Sequence, residues 1–129
     1  MGRTEDLILQ SYDAFRRGEV DEVVAGWHDH GELKPLPYGP SYRGREGVRR
    51  FLAKDIHELP AFDFRVYTVL EQGELALIFG RYSVREQGKG IDKGIFWIAE
   101  VWDEKLSSLE AHEDVGEAMA AFRERLDSR

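Results

Sequence analysis

Apolar residues along this chain change their spacing twice. At first the spacing is helical. Ile8, Tyr12 and Phe15 recur at i, i+4 and i+7, so they share one face. Thr4 reads as an N-cap ahead of Glu5 and Asp6, whose charges suit a helix N-terminus. Arg16 and Arg17 occupy the last turn and Gly18 stops it. Val20, Val23, Val24 and Trp27 repeat the spacing in a second short helix, which predicts a helical hairpin or a sharply bent pair. Pro35, Pro37 and Pro40, with Gly39 among them, interrupt the pattern. They predict a short edge strand near 31–36 and a loop through Tyr38 and Tyr42. From Gly44 the helical stripe returns with Val48, Phe51, Leu52, Ile56 and Leu59. Arg49, Arg50 and Lys54 lie on its wet side, and Pro60 ends it.

From Phe62 the period becomes two. Strands are predicted at about 62–71, 75–86, 91–102 and 105–113. Gln72-Gly73, Gln87-Gly88-Lys89-Gly90 and Asp103-Glu104 form the turns of an antiparallel meander. Asp114 caps a last helix, with Glu117 as its capping-box partner and Val115, Ala118, Met119, Phe122 and Leu126 as its apolar face. The predicted order, α-α-β-α-β-β-β-β-α, is that of one α+β domain over residues 1–129.

Placing Phe79 opposite Ile98 sorts the central hairpin into two faces. One carries Leu77, Phe79, Arg81 and Ser83 with Gly94, Phe96, Ile98, Glu100 and Trp102. The other carries Ala76, Ile78, Gly80 and Tyr82 with Ile95, Trp97, Ala99 and Val101, and Gly80 leaves room for the Trp97 indole. Both faces are largely apolar, so both need cover. Helices can cover one. A second copy of the chain, docked on the face around Trp97, is the expected cover for the other, with the terminal helix as the alternative. A two-residue turn at Asp103-Glu104 puts Leu109 and Ala111 on the Trp102 face; a three-residue turn puts Glu110 and His112 there instead. The first suits an interior better.

Composition acts mainly by exclusion. A chain of 129 residues, 42% hydrophobic and 33% charged, can build one core and is not disordered. Its net charge of −7 argues against a nucleic-acid partner. Without cysteine there is no disulfide, thiolate ligand or cysteine nucleophile. The longest apolar run, Ile95 to Ala99, is too short to span a membrane, and the first residues carry no signal-peptide pattern. A cytoplasmic location is therefore expected.

Several segments resemble the SnoaL-like family of the nuclear transport factor 2-like superfamily. They are Tyr12-Asp13-Ala14-Phe15-Arg16-Arg17-Gly18-Glu19, Tyr42-Arg43-Gly44-Arg45-Glu46-Gly47-Val48, the meander, and Val101-Trp102 through Leu109-Glu110-Ala111-His112-Glu113-Asp114 to Glu117-Ala118. The resemblance implies a cone: a curved, mostly antiparallel sheet packed on N-terminal helices around a pocket. Such proteins include polyketide cyclases, ketosteroid isomerase and limonene epoxide hydrolase, so the fold leaves the chemistry open.

The face carrying Arg81 and Glu100 is the expected pocket wall, with Phe79, Ser83, Phe96, Ile98, Trp102 and Leu109 on it. Tyr12, Phe15, Trp27 and Phe51 would close the pocket from the helices. Such a cavity suits a small hydrophobic or aromatic ligand. Arg81 would orient an anionic oxygen, and a desolvated Glu100 would act as acid or base. The plainer alternative is an Arg81–Glu100 ion pair that neutralises two buried charges.

Family chemistries transfer poorly. The epoxide hydrolase's arginine falls on Arg81, but its two aspartates fall on Ser83 and Ala111. The isomerase's base falls on Pro35 and its oxyanion acid on Ile98, with Tyr12 one residue from its tyrosine. For a cyclase-type acid/base, Glu100, Glu113 or a histidine is available. His28, His30 and Glu32 have the alternation of a strand metal site, but the inward Leu33 sends Glu32 outward, so no metal or other cofactor is expected. Three readings stand: a small-molecule-binding protein, an acid/base enzyme of cyclase, isomerase or epoxide hydrolase type, and a dimeric interaction module without ligand.

Overall fold

A computed structural model describes residues 2–59, 61–86 and 88–128, with Glu86 by its backbone alone. The expected helix stop at Pro60 and turn residue Gln87 lie outside the described residues. Helix α1 spans Arg3–Arg16 and α2 spans Val20–Ala25. Between them Gly18, at φ 74°, closes α1. Its N–H donates to the Phe15 carbonyl and the Glu19 N–H to that of Ala14. This is the Schellman arrangement that a positive-φ glycine permits. Thr4 is not the cap. It lies inside α1, nearly buried, and its hydroxyl donates to the Gly73 carbonyl at 2.7 Å, tying the helix to a strand turn.

Strand β1 spans Trp27–Lys34, so Trp27 opens a strand where the apolar spacing predicts helix. The short strand β2 (Tyr42–Arg43) leads through Gly44, at φ 71°, into α3 (Gly44–Ala53) and a 3-10 turn at Asp55–Glu58. The meander follows as β3 (Asp63–Gln72), β4 (Leu75–Glu86), β5 (Lys89–Trp102) and β6 (Lys105–His112). Helix α4 (Val115–Asp127) closes the order, and the Asp114 carboxylate accepts from the Glu117 N–H at 2.8 Å as its cap.

All strands join one curved, unclosed sheet in the order β2-β1-β6-β5-β4-β3. Its neighbours are antiparallel except β1 and β6, which run parallel, with Leu33 opposite Leu109. The β4–β5 register pairs Phe79 with Phe96 and Leu77 with Ile98, two residues from the expected alignment. A slip of two leaves every side chain on its expected face. Besides a register shift between Trp27 and Glu32 in the β1–β6 pair, two bulges shape the meander. One lies between Val66 and Thr68 in β3, opposite Gly80. A Cβ on Gly80 would stand 2.1 Å from the Arg65 carbonyl oxygen and 2.9 Å from the Trp97 ring. The other bulge interrupts β5–β6 between Glu100 and Val101.

The two faces of the β4–β5 hairpin hold the residues expected, but the interior is the opposite one, and beyond the second bulge Leu109 and Ala111 lie on the Trp97 face rather than the expected Trp102 face. Helices α1 to α3 pack on Ala76, Ile78, Ile95, Trp97, Ala99 and Val101. Trp97 is 3% exposed, and its indole N–H donates to the Pro35 carbonyl at 3.2 Å. The face around Trp97 is therefore occupied by this chain's own helices and is not available to a second copy. The face of Phe79, Arg81 and Glu100 is the outer one. There α4 lays Ala118 and Phe122 over Leu75, Leu77 and Ile98, so the terminal helix supplies cover. Charge explains the choice. The outer face carries Arg81 and Glu100, whereas the buried strand residues under α1 to α3 carry no charge, Glu71 at the rim accepting from the Glu5 N–H at 2.6 Å, and unpaired buried charge is costly.

Candidate functional site

An apolar hollow lies between α1, α2, α3 and the concave sheet. Tyr12 and Phe15 reach it from α1, Trp27 and Leu33 from β1, Phe51 and Leu52 from α3, and Phe64, Val66, Ile78 and Leu109 from the sheet. Its volume is about 90 Å³. The expected wall residues Tyr12, Phe15, Trp27, Phe51 and Leu109 are therefore gathered here. Leu109 arrives by way of the β5–β6 bulge. Asp103 and Glu104, at φ 52° and 61°, form the two-residue turn. The bulge then reverses the faces beyond it, so Leu109 pairs with Ala99 and Ala111 with Trp97, on the inner side.

Phe15 and Phe64 stack at 4.4 Å between ring centres, with their planes 6° apart, and Phe64 also meets Trp97 at 5.4 Å. The Tyr12 hydroxyl, 3.4 Å from the Phe64 carbonyl, is the phenol of this aromatic wall. Among the described residues no carboxylate, ammonium, guanidinium or imidazole group belongs to the lining. A second space, a groove of about 490 Å³, opens at the α1–α2 corner. It shares Phe15, Val23 and Leu52 with the hollow and carries Glu19 and His57, both exposed.

Phe79, Ser83, Phe96, Ile98 and Trp102 lie outside this site, on the outer face. Phe79 and Phe96 meet edge to face at 5.8 Å. Ile98 is fully buried beneath α4. Ser83 pairs in register with Asp63 and Asp92. Trp102 is 60% exposed and meets the His28 ring at 5.0 Å. Arg81 and Glu100 are on the same face but far apart. Arg81 pairs with Gly94, and six residues of β5 separate that point from Glu100, roughly 20 Å at strand spacing. Arg81 donates to the Asp92 carboxylate at 3.0 Å. Glu100 stands 3.6 Å from the Arg125 guanidinium of α4, which also reaches Glu110 at 3.6 Å and the Ser108 hydroxyl at 3.3 Å. The geometry thus gives neither a joint acid/base pair facing the hollow nor an Arg81–Glu100 ion pair. Burying both charges in the hollow would have required a mutual contact that the strand spacing forbids.

Other polar groups are engaged locally. The Tyr42 hydroxyl donates to Asp55 at 2.7 Å, and burial, then this contact, pushes the phenol up to about 12. Arg45 donates to the Trp27 carbonyl at 2.7 Å and pairs with Asp29, which pins the start of α3 to β1. His28 accepts from the His30 backbone at 3.1 Å. Among the described residues no group of three or more histidine, aspartate or glutamate side chains is arranged to hold a metal ion.

Lining residues not expected as pocket wall include Ser11, Leu33, Leu52, Phe64, Val66 and Ile78. For the last three the signal is alternation: Phe64 and Val66 share a face with Ile78, whereas Arg65 and Arg81 point away.

A curved sheet folded over N-terminal helices around an apolar hollow defines the nuclear transport factor 2-like class. Solved structures agree. An NTF2-like protein from Burkholderia thailandensis superposes with TM-score 0.76 at 20% identity, covering 92% of this chain and 98% of that one. TerC, crystallised with polyporic acid, gives 0.74 at 21% identity, covering 95% and 99%. A SnoaL-like polyketide cyclase assignment from Shewanella putrefaciens gives 0.68 at 15% identity, covering 97% and 98%. These likenesses establish the fold. The model of the SnoaL-like domain matches residues 8–109, and the chain belongs to that family. No curated protein gives a significant sequence match to it. Among the described residues no helix is long and apolar enough to cross a membrane.

Proposed function

We propose that this protein binds a small, predominantly apolar molecule in the hollow beneath α1 to α3. The observation that carries this reading is a partly open apolar hollow, walled mainly by aromatic and aliphatic side chains, with no charged group among the described residues that line it. Apolar cavities of this kind stay dry and gain free energy by filling with carbon rather than water. The structural neighbour TerC, crystallised with polyporic acid, lends support, since its fold also accommodates a small organic molecule. Titration with toluene, followed through the indole signal of Trp27, is expected to saturate. In Val66→Phe, which fills the hollow from β3, affinity is expected to fall at least about tenfold, since excluding the enclosed edge of the ring, about two carbons, is worth more than about 1.4 kcal/mol. Absence of saturation in the parent protein, or equal affinity in the filled variant, rules the reading out.

A second reading, acid/base catalysis, is favoured by Glu113. This residue follows β6 at the end of the sheet, and one of its carboxylate oxygens is buried without a hydrogen-bond partner among the described residues. Its other oxygen accepts from the Tyr38 hydroxyl at 3.3 Å. The Glu113 charge raises the Tyr38 pKa, and burial, followed by Glu113, raises that of Tyr82. Two phenols held neutral beside a carboxylate can pass a proton to a substrate oxygen. Glu113→Gln is expected to keep ligand binding and to lose turnover at least about a hundredfold, within the usual range for such a group. Unchanged turnover in that variant removes Glu113 from the chemistry.

A further inference from the structure

We infer that the occupant is elongated: a compact apolar tip in the hollow, and a longer apolar body lying along the groove at the α1–α2 corner. This rests on the proposed binding function and extends it to the shape and chemistry of the ligand. The hollow alone is small. A cavity of about 150 Å³ accepts benzene, so 90 Å³ takes a chain end or the edge of one ring. Ligand sites usually enclose about 300 Å³ or more. The groove, at about 490 Å³, lies in that range.

The two spaces adjoin because Phe15, Val23 and Leu52 belong to the walls of both. Beyond that shared wall the groove continues apolar with Val20, Ile56, Leu59 and Phe62. Its polar side chains are Glu19 and His57. The Arg17 guanidinium stands 3.7 Å from the Glu19 carboxylate but is held more closely by Asp13 at 3.1 Å and Glu22 at 2.9 Å, so this end of the groove stays acidic. A neutral head group that donates a hydrogen bond to Glu19 and can accept one from His57, such as a hydroxyl, therefore fits beside these residues better than an anion. Phe15 lies on the path between the compartments, held by its stack on Phe64. The chemical class is a neutral, hydroxyl-bearing molecule with an extended apolar body.

The test uses the linear alcohols from 1-pentanol to 1-decanol, with affinities measured calorimetrically on the whole chain. Each added methylene is expected to tighten binding about threefold to fourfold along the series, because the groove goes on burying it. Ile56→Asp, a substitution at a half-buried groove position, is expected to weaken 1-decanol at least about tenfold and to affect 1-pentanol far less. A gain that stops at 1-pentanol, or an Ile56→Asp variant that binds 1-decanol like the parent, overturns the elongated ligand. Toluene binding with only its ring edge in the hollow would survive that result. Failure of toluene and every alcohol to bind overturns the proposed binding function and this inference together. Circular dichroism on each variant separates lost binding from lost folding. Leu59→Asp, from the loop side of the groove, repeats the test should Ile56→Asp fail to fold.

Discussion

Trp97→Ala is expected to destabilise the fold by about 4 kcal/mol, within the range for removing a large buried aromatic side chain. For a chain of this length that corresponds to a melting point lower by about 15 °C. Trp97 is 3% exposed, packs near Phe64, lies against Gly80 and donates its indole N–H to the Pro35 carbonyl. Its removal leaves a void beneath the helices and strips a buried carbonyl of its donor. The loss should appear as a shifted urea midpoint at every protein concentration. A stability that falls only on dilution would mean that the residue joins two chains, as its position in a doubly apolar sheet suggests from sequence. A near-parental midpoint would contradict its place in the core.

Gly80→Ala carries the second large effect, about 3 kcal/mol of destabilisation, at the upper end for overpacking a core. The added methyl would meet the Arg65 carbonyl oxygen at 2.1 Å and the Trp97 ring at 2.9 Å. The indole can yield a little; the Arg65 carbonyl belongs to a neighbouring strand and cannot yield without disturbing the β3–β4 ladder. Gly90 provides the control. It has nothing within 4 Å of an added Cβ, so Gly90→Ala should stay within about 0.5 kcal/mol of the parent. Equal urea midpoints for the two variants would show that β3 does not approach β4 so closely at Gly80.

The order of elements was legible because their periods are clear. Ile8 and Phe15 mark a helix, and the alternation from Phe64 to Ile78 marks strands. The parallel seam between β1 and β6 was not legible. A pairing across so much sequence leaves no local trace, and Trp27, in helical spacing with Val23 and Val24, masks the start of β1. Part of the proposed site was legible from apolar periodicity: Tyr12, Phe15, Trp27 and Phe51 each lie on a face that must be buried, and all four line the hollow. The sheet residues of the expected wall lie on the outer face: Phe79 and Phe96 share it with Arg81 and Glu100, which are better solvated outside, where they meet Asp92 and Arg125. Leu109, expected on the Trp102 face, lies on the inner side instead, because the β5–β6 bulge reverses the alternation beyond it. A bulge costs only one residue of register and leaves no distinct composition behind.

The irregularity between Val66 and Thr68 also bears on how the molecule behaves among its own kind. Strand β3 ends the sheet, and a straight terminal strand offers a free ladder of amides and carbonyls to any extended chain nearby. The extra residue, Tyr67, breaks that ladder midway, and Asp63, Arg65 and Glu71 set charges along it. The distortion that bends the sheet around its contents thereby guards the border against fibril-like stacking.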